Sequence, residues 1–166
     1  MIDYLKIPEI RLRVLKKNEE LRKRIERETG TKISINEDLK IEGESFNIYQ
    51  AKQILRAFGR GFDIDDCLKL LDDEYGLEII DLTDFTRSRN RLTVIKGRVI
   101  GTKGKTKKFI EEYTKTKISV FGKTVSIIGK WENINIAKEA IMRLIRGSAH
   151  QSVYKWLERR VSEVKW

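Results

Sequence analysis

Gly101, Gly104 and the lysines around them have the residue types and spacing to grip an anion. They lie in GRVIGTKGKTKKFIEEYTKTKIS, residues 97–119, with glycine at 97, 101 and 104 and lysine at 103, 105, 107 and 108. Glycine has no Cβ, so a phosphate can approach the main chain closely at Gly101 and Gly104. A loop that opens a helix also presents free N–H groups and the positive end of the helix dipole. Arg98, Lys103, Lys105, Lys107 and Lys108 add cationic side chains. Gly104-Lys105-Thr106 looks like the end of a mononucleotide P-loop, but that loop needs a glycine where Val99 stands. The reading that survives is a loop for a sugar-phosphate backbone. A polynucleotide also needs a floor for its bases. Val99, Ile100, Ile110 and the run Ile118-Ser119-Val120 are candidates, with plain core packing as the alternative for Val99, Ile100 and Ile110. Gly97 reads as permitting a bend, and Lys107 and Lys108 as phosphate contacts or a solvated face. Aromatic residues are sparse here, so bases are expected on aliphatic side chains with modest affinity each.

The charge balance points the same way. The 166 residues carry 35 Lys and Arg against 25 Asp and Glu, a net charge of +10. Residues 85–166 hold 20 of the basic and 6 of the acidic residues, hence +14; residues 1–60 stand at +4 and residues 61–84 at −8. A half at +14 repels itself unless it meets something anionic, which leaves RNA, DNA or an acidic membrane surface as candidate partners. No apolar run approaches the ~20 residues of a membrane-spanning helix. Met1–Pro8 lacks the apolar stretch of a signal peptide. Cys67 is the one cysteine and His150 the one histidine. A disulfide framework and a zinc site are therefore not expected, and a reducing, cytoplasmic setting is. His150 reads as a helix-cap or packing residue. The acidic residues Asp63, Asp65, Asp66, Asp72 and Asp73 lack the spacing of a calcium loop and read as helix capping and solubility. No metal, cofactor or enzymatic activity is expected.

The scaffold for these residues occurs twice. RVLKKNEELRKRIERETGTKISI (13–35) lies over RVIGTKGKTKKFIEEYTKTKISV (98–120), with Arg13, Val14, Ile25, Glu26, Thr29, Thr31, Lys32, Ile33 and Ser34 recurring. NIYQAKQILRAFGRG (47–61) lies over NINIAKEAIMRLIRG (133–147) after a one-residue shift. Two copies at so long a period denote a duplicated domain. In the second copy Arg91–Ile95 alternates and reads as a strand, and Lys105–Thr116 as a helix. Lys117–Phe121 and Thr124–Gly129 read as strands joined by a Gly122-Lys123 turn, and Glu132–Gly147 as an amphipathic helix. The expected class is α+β in the order β-α-α-β-β-α, which the first copy follows from Tyr4 to Arg60. This divides the chain into residues 1–61, an acidic connector at 62–90 and a second domain at 91–166. The connector carries a short helix capped by Asp63 or Asp65 and an extra strand at Leu77–Leu82. The second domain ends in a helix from His150 to Val164.

Gly101-Thr102-Lys103-Gly104 between two helices, followed by two strands and a long helix, resembles the Gly-x-x-Gly loop of a type I KH domain. GRVIGTKGKTKKFIEE, ISVFGKTVSIIG and GSAHQSVYKWLER together resemble archaeal relatives of the partner-of-Nob-one family of small-subunit ribosome-assembly factors. The resemblance covers nearly the whole chain and is clearest in the second half. It implies two type I KH domains in tandem. A KH domain holds about four nucleotides of single-stranded nucleic acid, with the loop clamping the backbone. The implied ligand is the 3′ region of small-subunit ribosomal RNA, in ribosome assembly or translation initiation. The implied partners are the alpha subunit of initiation factor two and the Nob-one endonuclease. The first copy departs from the pattern. Lys16-Lys17-Asn18-Glu19 stands where the loop should be, and residues 8–28 read as a nearly continuous helix with Pro8 near its start. That domain is expected not to clamp RNA in the usual way. It supports the second domain, binds protein, or touches RNA through Lys16, Lys17 and Arg22–Arg24. The alternative for the whole chain is a KH-fold protein adaptor with non-specific nucleic-acid affinity.

Overall fold

The computed structural model describes residues 1–163, so Val164 of the expected C-terminal helix lies outside the described residues. The chain forms two compact units, one of Met1–Asp73 and one beginning at Glu74. In the first unit β1 (Ile2–Leu5) leads into α1 (Glu9–Lys17) and α2 (Glu19–Thr29), then β2 (Lys32–Ile35), β3 (Leu39–Glu42), α3 (Ser45–Gly59) and the short α4 (Ile64–Leu68). The second unit runs β4 (Tyr75–Asp81), α5 (Arg89–Ile100), α6 (Lys105–Thr114), β5 (Lys117–Phe121), β6 (Thr124–Lys130), α7 (Trp131–Ile145) and α8 (His150–Glu163). Both sheets are antiparallel, in the orders β1-β3-β2 and β4-β6-β5. Each therefore places its last strand in the centre.

Two expected elements are corrected. Arg91–Ile95 is not a strand but lies inside α5. Leu92, Ile95 and Val99 are buried at helical spacing, and the Ser88 hydroxyl accepts from the Arg91 N–H at 3.3 Å to cap the helix. Five alternating residues cannot separate a strand from one face of a helix. The strand at Leu77–Leu82 is not an extra one. It belongs to β4, which pairs along β6 from Tyr75↔Lys130 to Asp81↔Thr124 and is the opening strand of the second unit. The acidic stretch before it belongs to the first unit. There the Asp63 carboxylate caps α4 by accepting from the Asp66 N–H at 3.0 Å, and Asp65 pairs with Arg24 at 2.8 Å. Cys67 is fully buried on α4, and burial pushes its thiol well above the usual range, so it is not a reactive nucleophile.

The first-copy helix is also not continuous. Asn18 breaks it at φ −115° and ψ 87°, and its side chain accepts from the Leu21 N–H at 3.0 Å. Elsewhere the recurring residues do the same work in both units. Thr29 donates to the Ile25 carbonyl at 2.7 Å and meets Thr31 at 2.7 Å; Thr114 donates to Ile110 at 2.7 Å and meets Thr116 at 2.8 Å. Glu26 and Glu111 each accept from a strand N–H, of Ile33 and Ile118, at 2.8 Å. Lys52 reaches Asp3 and Lys138 reaches Glu78. Much of the repeat consists of the polar fixings that a buried helix–strand corner requires.

Candidate nucleic-acid interface

α5 ends where Gly101 turns to φ 75° and ψ 173°, with its N–H bonded to the Gly97 carbonyl at 2.8 Å. Thr102–Gly104 then form one tight turn, with Lys103 at φ 56° and Gly104 at φ 76°, and α6 starts at Lys105. The two motif glycines serve different ends. A Cβ on Gly101 would stand 2.2 Å from Thr106 Oγ1 and 2.7 Å from the Thr106 nitrogen, so the main chain packs directly onto α6 there. A Cβ on Gly104 would meet nothing within 4 Å, so that side faces open space. No side chain caps the start of α6, and no acidic residue lies in its first turn. The Lys105 N–H donates to the Thr102 carbonyl, no side chain takes the N–H groups that follow, and Lys103, Lys105 and Lys108 stand exposed around the positive end of the helix. The start of α2 is the opposite case, being capped by Asn18 and carrying Glu19 and Glu20 in its first turn.

The remaining expected site residues divide sharply. Thr102 is exposed at the loop tip, whereas Lys107 pairs with Glu111 at 3.7 Å. Val99, Ile110 and Ile118 are core, and half-buried Val120 packs against that core. Ser119 lies opposite Ser126 on the other face of its strand. Of the expected aliphatic floor, Val99, Ile110 and Ile118 are taken by the core, and Ile100 and Val120 stay half-buried. Strand alternation explains this, because Ile118 and Val120 share a face that must cover the helices. Gly97 makes no bend. It is helical, and its missing Cβ leaves open space on α5.

Arg98 is structural rather than free. Its guanidinium donates to the carbonyls of Leu144, at 3.0 Å, and Ser148, clasping the end of α7. Arg11 does the same in the first unit, donating to Phe58 and Phe62 at 2.8 Å each. Arg11, not Arg13, is thus the counterpart of Arg98. Arg11 precedes Arg98 by 87 positions and Ile25 precedes Ile110 by 85, so the first unit has two more residues across this corner, where α1 runs on to Lys17. Arg98→Ala is expected to lower the unfolding free energy by about 2 kcal/mol, for the loss of bonds from a charged donor. Urea denaturation reads this directly, and an unchanged midpoint would return Arg98 to the set of free cations.

Four aromatic rings gather where the sequence shows only scattered ones. Phe109 stacks on Tyr113 at 4.4 Å and lies 4.2 Å from Tyr154 of α8; His150 stands edge-on to Tyr154 at 6.3 Å. Tyr154 Oη and Thr106 Oγ1 hydrogen-bond at 2.8 Å, tying α8 to the first turn of α6. His150 does cap a helix, though not its own: its Nε2 lies 2.9 Å from the Arg98 carbonyl near the end of α5. The sequence signal for these residues was the four-residue spacing of Phe109 with Tyr113 and of His150 with Tyr154. Among the described residues no three His, Cys, Asp or Glu side chains converge on a possible metal position. No helix among them is long and apolar enough to cross a membrane.

Residues 76–162 match the family described as the eukaryotic-type KH domain, KH-domain type I. A KH domain-containing protein of Methanocaldococcus jannaschii is 42% identical over 99% of this chain and 76% of its own length. A pre-rRNA-processing protein PNO1 of Chaetomium thermophilum is 33% identical over 99% of this chain, which spans 59% of that longer relative. A chain in the crystal structure of an a/eIF2α–aDim2p–rRNA complex from Pyrococcus horikoshii OT3 matches with a TM-score of 0.90 and 40% identity, covering 99% of this chain and 96% of that one.

Proposed function

The chain belongs to the PNO1 family of KH-domain proteins, and from that premise we propose that it is a single-stranded RNA-binding protein of ribosome assembly. The observation that carries the proposal is the Gly101–Gly104 loop: an uncapped helix start, rimmed by lysines, with open space at Gly104. That arrangement suits a phosphate held by main-chain N–H groups. The RNA is the 3′ region of small-subunit ribosomal RNA. The reading is supported by a relative named for pre-rRNA processing and by a similar chain found with rRNA and a/eIF2α. The a/eIF2α subunit is accordingly proposed as a protein partner, and the Nob-one endonuclease as a second. The role is binding and presentation of RNA, without catalysis.

The first unit is proposed to be a degenerate KH domain. It has the element order and sheet order of the second unit but no glycine turn. Of its basic residues near that corner, Arg22 donates to the Leu15 and Lys16 carbonyls and Arg24 is paired with Asp65. Contact with RNA there would use the exposed side chains of Lys16 and Lys17, not the main chain. A purely protein-adaptor role leaves the uncapped basic start of α6 unexplained, so it is the weaker reading.

The test is equilibrium binding of the full chain to a short single-stranded RNA carrying the small-subunit 3′-terminal sequence, and to the same sequence in a duplex. Preference for the single strand is expected, with the affinity exponent on salt near about 0.7 per phosphate neutralised. Equal binding to both, or no salt dependence, overturns the proposal.

A further inference from the structure

A furrow separates the Gly101–Gly104 loop from α8. One wall is α5, with Val94 half-exposed and Gly97 next to it; the other is His150, Gln151 and Tyr154 of α8, with Lys105 at the rim. Ile100 does not line it, so it is distinct from the side of α5 that Ile100 faces. We propose that this furrow is a nucleobase subsite, taking the base beside the phosphate held by the loop, with Gln151 and His150 reading its edge. The proposal rests on the RNA-binding reading above.

Four features support it. The furrow shares Gly101 and Thr102 with the loop, so a strand crossing the loop arrives at its mouth. No acidic side chain lines it, while Lys105 does, which favours an anionic chain over an acidic-walled protein contact. A Cβ at Gly97 would meet nothing within 4 Å, so a flat ring can lie against the helix backbone beside Val94. Last, the polar groups are set. The Arg98 carbonyl can only accept, so its bond to His150 Nε2 puts the proton on that nitrogen. In the neutral ring Nδ1 is then an acceptor, and the exposed Gln151 amide offers both a donor and an acceptor. Tyr154 is held in place by Thr106 and Phe109, which makes the wall rigid. Such a site reads a base edge as single-stranded RNA recognition requires.

The test uses the full chain and the same single-stranded 3′-terminal RNA, with each base removed in turn to leave an abasic sugar. Removing the base that enters the furrow is expected to cost about tenfold in affinity. Gly97→Leu fills the furrow from a helical position with no neighbouring atom, and Gln151→Ala removes an edge contact from an exposed side chain. In both variants the penalty at that one position should shrink to within about twofold, with the other positions unchanged. If Gly97→Leu fails to fold, Gln151→Ala decides alone. An abasic profile identical to wild type in the variants overturns the subsite and hands the furrow to another occupant. That failure is separable from failure of the RNA-binding reading, which instead predicts that aspartates in the loop weaken binding to every RNA of the abasic series alike.

Discussion

Exchanging Thr102 and Lys103 together for aspartate is expected to weaken RNA binding by about 100-fold while leaving the protein folded. Both side chains are exposed at the loop tip, so neither contributes to the core. Lys103 sits at φ 56° and ψ 29°, a left-handed conformation that aspartate tolerates better than lysine. Negative charge ahead of α6 also suits the helix dipole, so stability should hold or rise slightly. The ligand feels the reverse. Two carboxylates replace a cation and a hydroxyl where a phosphate would meet the uncapped helix start. Fluorescence anisotropy measures the affinity, and far-UV circular dichroism checks the fold. An affinity within about twofold of wild type would remove the loop from the interface. The matching pair Lys17→Asp and Asn18→Asp should have a far smaller effect. No glycine turn exists there, and aspartate can still cap α2 as Asn18 does.

Gly101→Ala is expected to lower the unfolding free energy by about 3 kcal/mol, whereas Gly104→Ala should cost only about 1 kcal/mol. At φ 75° and ψ 173° Gly101 occupies backbone space that belongs to glycine almost alone. The added methyl would also stand 2.2 Å from Thr106 Oγ1 and 2.7 Å from the Thr106 nitrogen. Thr106 is 2% exposed, and its hydroxyl is engaged by Tyr154, so it has little room to withdraw. Gly104 has a positive φ but no neighbour, leaving only the left-handed penalty. Urea denaturation of both variants separates the two costs, and equal values would contradict the contact with Thr106. The duplication does not make both glycines dispensable for the fold. The first unit lacks both glycines yet folds, because α1 runs on to Lys17 and Asn18 makes the break. The second unit, with its shorter corner, needs Gly101 for the fold itself. Gly104 is the glycine whose presence points to a ligand.

Much of the site was legible before the fold. The loop, its lysines and the loss of both glycines from the first copy are contiguous in sequence, and local propensity decides them. The duplication was legible for a similar reason. Glu111, Thr114 and Thr116 recur because each makes a short-range bond that any copy of this corner must make. The opening strand was not legible. Arg91–Ile95 alternates like a strand, yet Leu92 and Ile95 serve a helical face, and periodicity over five residues cannot decide between them. The partner that identifies β4 is β6, some fifty residues away.

The sequence by itself determined the features on which the proposed ligand rests: a basic half, a glycine loop at a helix start, and a repeat without that loop. These are properties of composition and near neighbours, which chain folding does not alter. The tertiary structure decided which of the candidate residues are available. It spent Arg98 on the end of α7 and buried Ile118 and Val99. It also brought His150, Gln151 and Tyr154 to the edge of a loop about fifty positions earlier. Those outcomes depend on long-range packing, where the burial of one face and the satisfaction of one carbonyl fix the fate of a side chain that sequence alone leaves free.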